Sequence, residues 1–198
     1  MPRPKLLIVA GPNGSGKTSV TGDILRHTWV EGCRYVNPDN IARDVFGDWN
    51  SPDAVLRAAR LADAQRRECL DAGAGLIFET VFSSPEKLAF VSEAKARGYF
   101  IRLFFIGTET PQINAARIAH RVMQGGHDVP IAKIISRYYK SNANCALAAP
   151  NVDRLYVYDN STENAPAKLL FRATNGTLAR KYTDVNDWAR NILSALRQ

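Results

Sequence analysis

Apolar residues in this chain fall into short unbroken runs separated by longer stretches with helical spacing. Residues 5–10, Lys-Leu-Leu-Ile-Val-Ala, form one such run, as expected of a strand buried on both faces. Further strands are predicted over 34–36, 75–79, 99–106 and 154–158. Between them, helices are expected over 18–27, 40–46, 51–72, 84–97, 111–124 and 130–148, with a last helix over 185–196. Several ends carry their own signals. Ser51 precedes Pro52 as an N-cap precedes a first-turn proline, and Pro85 opens a helix that Gly98 closes. Asn175-Gly176, between the strand-like runs 169–173 and 177–182, signals a tight hairpin.

Strands alternating with helices predict an α/β fold in three layers, with a parallel five-stranded sheet covered by helices on both faces. A C-terminal β-hairpin and helix complete it. The 198 residues suit one domain, 1–198, carrying a lid-like helical hairpin at about 111–148. Hydrophobic residues make up 45% and charged residues 23%, the profile of an ordinary globular chain. No apolar run approaches the roughly 20 residues of a membrane span. The first run reads as a strand rather than a secretory segment, so a cytoplasmic location is expected. Cys33, Cys69 and Cys145 have neither metal-ligand nor disulfide spacing and read as incidental.

Chemistry enters directly after the first strand. Residues 11–18, Gly11-Pro12-Asn13-Gly14-Ser15-Gly16-Lys17-Thr18, match Gly-x-x-x-x-Gly-Lys-[Ser/Thr], the Walker A phosphate loop. Glycines let the backbone curl so that successive N–H groups point inward at phosphate oxygens. The helix starting at Gly16 adds the positive end of its dipole. Lys17 would reach the β- and γ-phosphates of ATP or GTP, Thr18 would ligate Mg2+, and Ser19 extends the contact. The motif alone does not distinguish transfer of the phosphoryl group from hydrolysis.

Transfer requires an acceptor hydroxyl, a base beside it and positive charge on the moving group. Asp39 ends the second strand at the carboxyl edge where ligands of parallel sheets bind, so it is a candidate base; it is equally a candidate helix cap. Glu79 and Thr80 close the third strand on the same edge. There Glu79 would assist magnesium through water or hold an acceptor hydroxyl, and a structural role stays open. Arg117 and Arg121, four residues apart, share a helix face, with Arg137 and Lys140 on the opposite limb across Gly125-Gly126-His127-Asp128-Val129. Asn160, after the fifth strand, would read the base or shape a turn. The formal charge of +7 fits a pocket for several phosphates, and also nucleic acid. Because no run of five like charges occurs, nucleic acid is the less expected partner.

Taken together, the phosphate loop, Asn37-Pro38-Asp39-x-Ile41-Ala42, Phe78-Glu79-Thr80, Arg117-x-x-x-Arg121-Val-x-Gln124-Gly-Gly-His-Asp-Val-Pro130, Arg137-Tyr138 and Tyr158-Asp159-Asn160-Ser161 resemble the zeta toxin family of P-loop kinases. The resemblance runs from residue 6 to about 161, and its most specific part is the Gln-Gly-Gly-His-Asp-Val-Pro segment with its arginines. It implies an ATP- and Mg2+-dependent kinase acting on a sugar hydroxyl of a UDP-N-acetyl-hexosamine such as UDP-N-acetylglucosamine. By matching position, Lys17 and Thr18 serve phosphates and metal, Asp39 is the base and Glu79 contacts the acceptor. Arg121 and Arg137 match the phosphate-clamping arginines, with Arg117 a further contact. A small helical antitoxin is a partner by the same analogy. Two other readings stand beside it: an NTPase or ATP-binding module coupled to a protein partner, and a polynucleotide kinase.

Overall fold

Six consecutive residues with five fully apolar side chains build the central strand β1 (Lys5–Ala10), and Leu6 through Ala10 are all buried. Burial on both faces is worth roughly 1.5–3 kcal/mol for each large side chain, which fixes this strand at the middle of a sheet. The computed structural model describes residues 3–47, 51–125 and 129–198. Gly126, His127 and Asp128 of the link between the arginine-bearing helices therefore lie outside the described residues.

Around β1 the chain adds α1 (Lys17–Ile24), β2 (Cys33–Val36), α2 (Pro38–Phe46), α3 (Pro52–Asp71), β3 (Gly75–Thr80) and α4 (Pro85–Ala96). It continues with β4 (Phe100–Gly107), α5 (Pro111–Met123), α6 (Ile131–Ala148), β5 (Arg154–Asp159), β6 (Lys168–Thr174), β7 (Thr177–Lys181) and α7 (Asp187–Ser194). The strand order is β2-β3-β1-β4-β5-β6-β7. The five strands β2, β3, β1, β4 and β5 run parallel, as the alternation of strands and helices requires. The hairpin extends that same sheet rather than forming a separate layer, because β6 pairs antiparallel with β5 and β7 with β6. Its turn holds Asn175 at φ 49° and Gly176 at φ 73°, the two positive values that a two-residue type I′ turn demands.

One sheet face carries the larger core. Leu6 and Ile8 of β1, Leu103 and Phe105 of β4, and Leu155 and Val157 of β5 pack there with α3, α4, α6 and α7 side chains such as Leu70, Val91, Cys145 and Ile192. The opposite face has a smaller core of Leu7, Val9, Ile24, Ile77, Phe104 and Ile106. On that side α1 is only eight residues long; it stops at Ile24 rather than 27, and a 3-10 turn at Thr28–Val30 follows. Among the described residues, no helix is long and apolar enough to cross a membrane. The three cysteines are free, Cys69 and Cys145 buried and Cys33 half-buried.

Candidate functional site

The loop after β1 turns sharply because its neighbours leave no room for side chains. A Cβ on Gly14, whose φ is +76°, would come within 2.6 Å of the Asn114 carbonyl, and one on Gly16 would collide with the Asn160 amide. Those neighbours also hold the loop. Asn114 of α5, fully buried, donates from Nδ2 to the Asn13 carbonyl at 2.5 Å and takes the Thr108 hydroxyl on its other end. Arg137 of α6 donates to Asn13 Oδ1 at 3.1 Å, and Asn160 Nδ2 donates to the Ser15 carbonyl at 2.9 Å. Three separate elements thus grip the loop, so its inward-facing amides are arranged before any anion arrives.

Lys17 opens α1, and its ammonium donates to the carbonyls of Gly11 (2.9 Å) and Pro12 (3.0 Å). Enclosure by the loop pulls its pKa down from 10.5 to about 8, against the upward pull of Glu79 and Asp39, while Arg121 and Arg137 add to the fall. Four residues singled out in the sequence, Asp39, Glu79, Arg121 and Arg137, therefore lie within electrostatic range of one ammonium. They come from β3, α2, α5 and α6, four elements that meet at the carboxyl edge of the sheet. Thr18 and Ser19 follow in the first turn of α1, both exposed.

The cap of α2 is Asn37, not Asp39. The Asn37 side chain accepts from the Asp39 backbone N–H at 2.8 Å, and Pro38 occupies the first helical position. The physical reason is position: a cap must precede the first helical residue, and Asp39 is already inside the first turn. Its exposed carboxylate is consequently released from capping. Asn37 also donates to the Tyr35 hydroxyl at 2.9 Å, and that hydroxyl donates to Glu79 Oε1 at 2.6 Å. Burial, followed by the bond to Glu79, raises the Tyr35 pKa far above its ordinary value, so it remains a donor. Asn37 and Tyr35 both address Oε1 of Glu79; among the described residues nothing donates to Oε2. Thr80 turns its hydroxyl to the Phe82 backbone N–H at 3.1 Å, supporting a turn in which Phe82 has φ 61°.

The remaining sequence candidates gather elsewhere. Arg117 lines an open cleft of about 780 Å3 together with Gly16, Ser19, His120, Tyr158 and Asn160. It thus stands on the side of the loop away from Asp39 and Glu79. Its Nη1 is buried without a partner among the described residues. Asn160 borders the same cleft while spending its amide nitrogen on the loop; Asp159 before it is pinned by Trp188 Nε1 at 2.9 Å and by the Ser161 hydroxyl. The hairpin α5–α6 has a small core of Ile118, Val129 and Ile134, and α6 is bolted to the body. Tyr138 donates to the Thr108 carbonyl at 2.7 Å, Ser141 to that of Val81, and Asn144 to that of Phe82 at 2.9 Å. Sequence reasoning missed Tyr35 and Asn114, and named Tyr138 only as a motif neighbour of Arg137. A buried asparagine in a helix leaves no periodic trace, whereas the alternation Tyr35-x-Asn37 beside a strand end was a usable signal.

Mg2+ commonly binds one or two carboxylates or hydroxyls and completes its shell with substrate phosphates and water. The donor set fits that habit: the Thr18 hydroxyl in the first turn of α1, and the Asp39 and Glu79 carboxylates near Lys17. Among the described residues no cluster of three or more His, Cys, Asp or Glu forms an all-protein cage.

Comparison with known proteins agrees with this fold. A protein of Haemophilus influenzae with no described function is 30% identical over 135 residues, 68% of this chain and 91% of that protein. The structure of the PezAT chromosomal toxin-antitoxin system of Streptococcus pneumoniae superposes with a TM-score of 0.64 at 12% identity, covering 100% of this chain and 79% of the other. The AvrRxo1-ORF1:ORF2 complex with ATP gives 0.69 at 15% identity, covering 98% of this chain, which spans only 64% of that one. At such identities the two structures speak for the fold alone. The zeta toxin family model matches residues 1–166, and the chain belongs to the zeta toxin family.

Proposed function

We propose that this protein is an ATP-dependent kinase that transfers the γ-phosphoryl group to a hydroxyl of a nucleotide-sugar, with UDP-N-acetylglucosamine the leading acceptor. The observation that carries the reading is the convergence of Asp39, Glu79, Arg121 and Arg137 on the Lys17 ammonium. A module that only bound nucleotide would need the lysine and the loop. A transferase also needs a carboxylate beside the γ-phosphate, a role that Asp39 or Glu79 would fill.

The roles follow from the surroundings. The loop amides and Lys17 hold the β- and γ-phosphates, and the nucleoside enters the cleft lined by Gly16, Ser19, Arg117 and Asn160. Mg2+, held through Thr18 and the carboxylate edge, would neutralise phosphate charge. Asp39, exposed and relieved of capping, takes the proton of the acceptor hydroxyl as its oxygen bonds to the γ-phosphorus and the bond to the ADP oxygen breaks. Glu79, its Oε1 fixed by Tyr35 and Asn37, offers Oε2 to an acceptor hydroxyl. Arg121 and Arg137 balance charge on the moving group, and Arg137 already touches the loop through Asn13. A small helical antitoxin remains a proposed partner by family analogy.

The test is mass spectrometry of a metabolite extract, and of UDP-N-acetylglucosamine alone, incubated with ATP, Mg2+ and either wild-type or Asp39→Asn protein. A phosphorylated product formed by the wild type and lost in the variant is expected. Phosphorylation unaffected by the variant, or hydrolysis of ATP with no acceptor modified, would remove the proposal.

A further inference from the structure

We propose that the sheet face opposite the main core, across β4–β5–β6–β7, is a binding platform for single-stranded nucleic acid. Strand register puts Phe104, Tyr156, Arg172 and Arg180 in one row on this face, and Arg102, Arg154, Thr174 and Thr177 in the next. Paired residues share a face, so Arg102 stands directly opposite Arg154, and Arg172 opposite Arg180. Like charges directly opposite each other destabilise a sheet. Here that cost is met twice, and among the described residues none of the four arginines has an acidic partner. The Nε of Arg102 is buried without any hydrogen-bond partner. A polyanion laid on the face would offset the repulsion between the exposed Arg172 and Arg180, whereas the buried Arg102 Nε lies out of its reach.

Aromatic rings are interleaved with the charges. Phe104 and Tyr156 stack at 4.8 Å and 10°. Phe104, however, is buried in the smaller core beneath Trp29, which lies 6.0 and 5.8 Å from the two rings, so Tyr156 and Tyr182 are the rings that reach the surface. The guanidinium of Arg102 lies 4.7 Å from the Trp29 ring, those of Arg3 and Arg154 lie 5.4 and 5.6 Å from the Phe100 ring, and Arg180 sits 4.9 Å from Tyr182. Arg172 and Arg180 are exposed, Tyr182 is 40% exposed, and Tyr156 is half-buried. Asp23 and Glu163 line the cleft assigned to the nucleoside, and so do Trp29, Phe104 and Tyr158, so the arginine face adjoins that cleft at β4 and β5. Four strands span roughly 14 Å, a flat surface of the kind on which successive bases stack. An acidic polypeptide would use the arginines and leave the rings idle. Much of this surface, β6 and β7, lies beyond the residues matched by the family model, and it does not depend on the kinase reading.

The experiment is fluorescence anisotropy of the full chain with 12-mers of uridine and of thymidine at 50 and 200 mM salt. Binding is expected to weaken roughly twentyfold to fiftyfold over that range, from three or four phosphate contacts on a single strand. The double variant Arg172→Glu, Arg180→Glu should lose at least about tenfold with an unchanged thermal melt, since both side chains are exposed. Tyr156→Leu, which keeps an apolar side chain but removes the ring and its stack on Phe104, should lose about fivefold to tenfold. A preference for either 12-mer supports the platform and names its sugar. No binding at 50 mM salt, or affinity untouched by the double variant, overturns it. So does a duplex bound as tightly, or polyglutamate competing equally well with Tyr156→Leu silent, which would give the face to an acidic protein.

Discussion

Two regions of this molecule gather arginines, and they do so in opposite ways. At the carboxyl edge of the sheet, Arg121 and Arg137 share their space with Lys17, Asp39 and Glu79, so cations and anions face one another around a single ammonium. On the sheet face opposite the main core, arginine stands opposite arginine, and among the described residues none of the four has an acidic partner. Charges of both signs held at fixed positions are what a proton transfer and a moving phosphoryl group require. Charges of one sign on a flat aromatic surface attract a polyanion without directing any reaction. The contrast separates a site of chemistry from a surface of adhesion, and it predicts that each can be damaged without the other.

The largest effect belongs to the edge. Arg137→Ala removes both a transition-state cation and the tie to Asn13, and should lower kcat by roughly 100-fold to 1000-fold in a phosphotransfer assay while oligonucleotide affinity stays unchanged. Tyr35→Phe comes next. It deletes two hydrogen bonds, the one donated to Glu79 and the one accepted from Asn37, and the loss of the first, worth about 1.5–3 kcal/mol, should raise the acceptor KM about tenfold with little change in the KM for ATP.

A third effect is a proton count. In the unfolded chain Lys17 keeps its proton to 10.5, and in the folded one only to about 8. Between those values the unfolded state binds more protons, so this residue's contribution to stability rises with pH across that window and is least favourable below it. Phosphates bound beside the amine restore its charge. ATP binding near pH 9 should therefore take up part of a proton, read by calorimetry in buffers of different ionisation enthalpy, and Lys17→Met should abolish the uptake. The smallest effect sharpens the other region. Arg180→Thr removes one like-charge pair and should stabilise the protein by about 0.2–1 kcal/mol in urea unfolding while weakening oligonucleotide binding.

The fold was legible where local chemistry repeats along the chain. Five parallel strands, the Ser51-Pro52 helix start and the Asn175-Gly176 turn all stand where the pattern put them, because burial, capping and positive φ act over a few residues. The site was legible in part. Lys17, Asp39, Glu79, Arg121 and Arg137 were found as types at strand ends and on helix faces, and the structure brings them together. Arg117 was grouped with them on helical spacing, yet it stands in the cleft beside Gly16 and Asn160. Spacing on a helix says which residues share its face, and not what that face meets.

What the amino-acid sequence determined by itself was therefore local: the phosphate loop with its required glycines, the order of strands and helices, and the motifs that mark the family. Which residue caps α2, so that Asp39 is left free, how Tyr35 and Asn37 steady Glu79, and which arginines face one another were decided by tertiary structure. The charge on the arginine face shows why. Arg102, Arg154, Arg172 and Arg180 are dispersed along the sequence and form no charged run, so nucleic acid looked the less expected partner. Strand alternation turns every second side chain to one side, and pairing then sets strands from distant segments 4.7–4.9 Å apart. A row of like charges can therefore exist in space with no trace of it in the linear order.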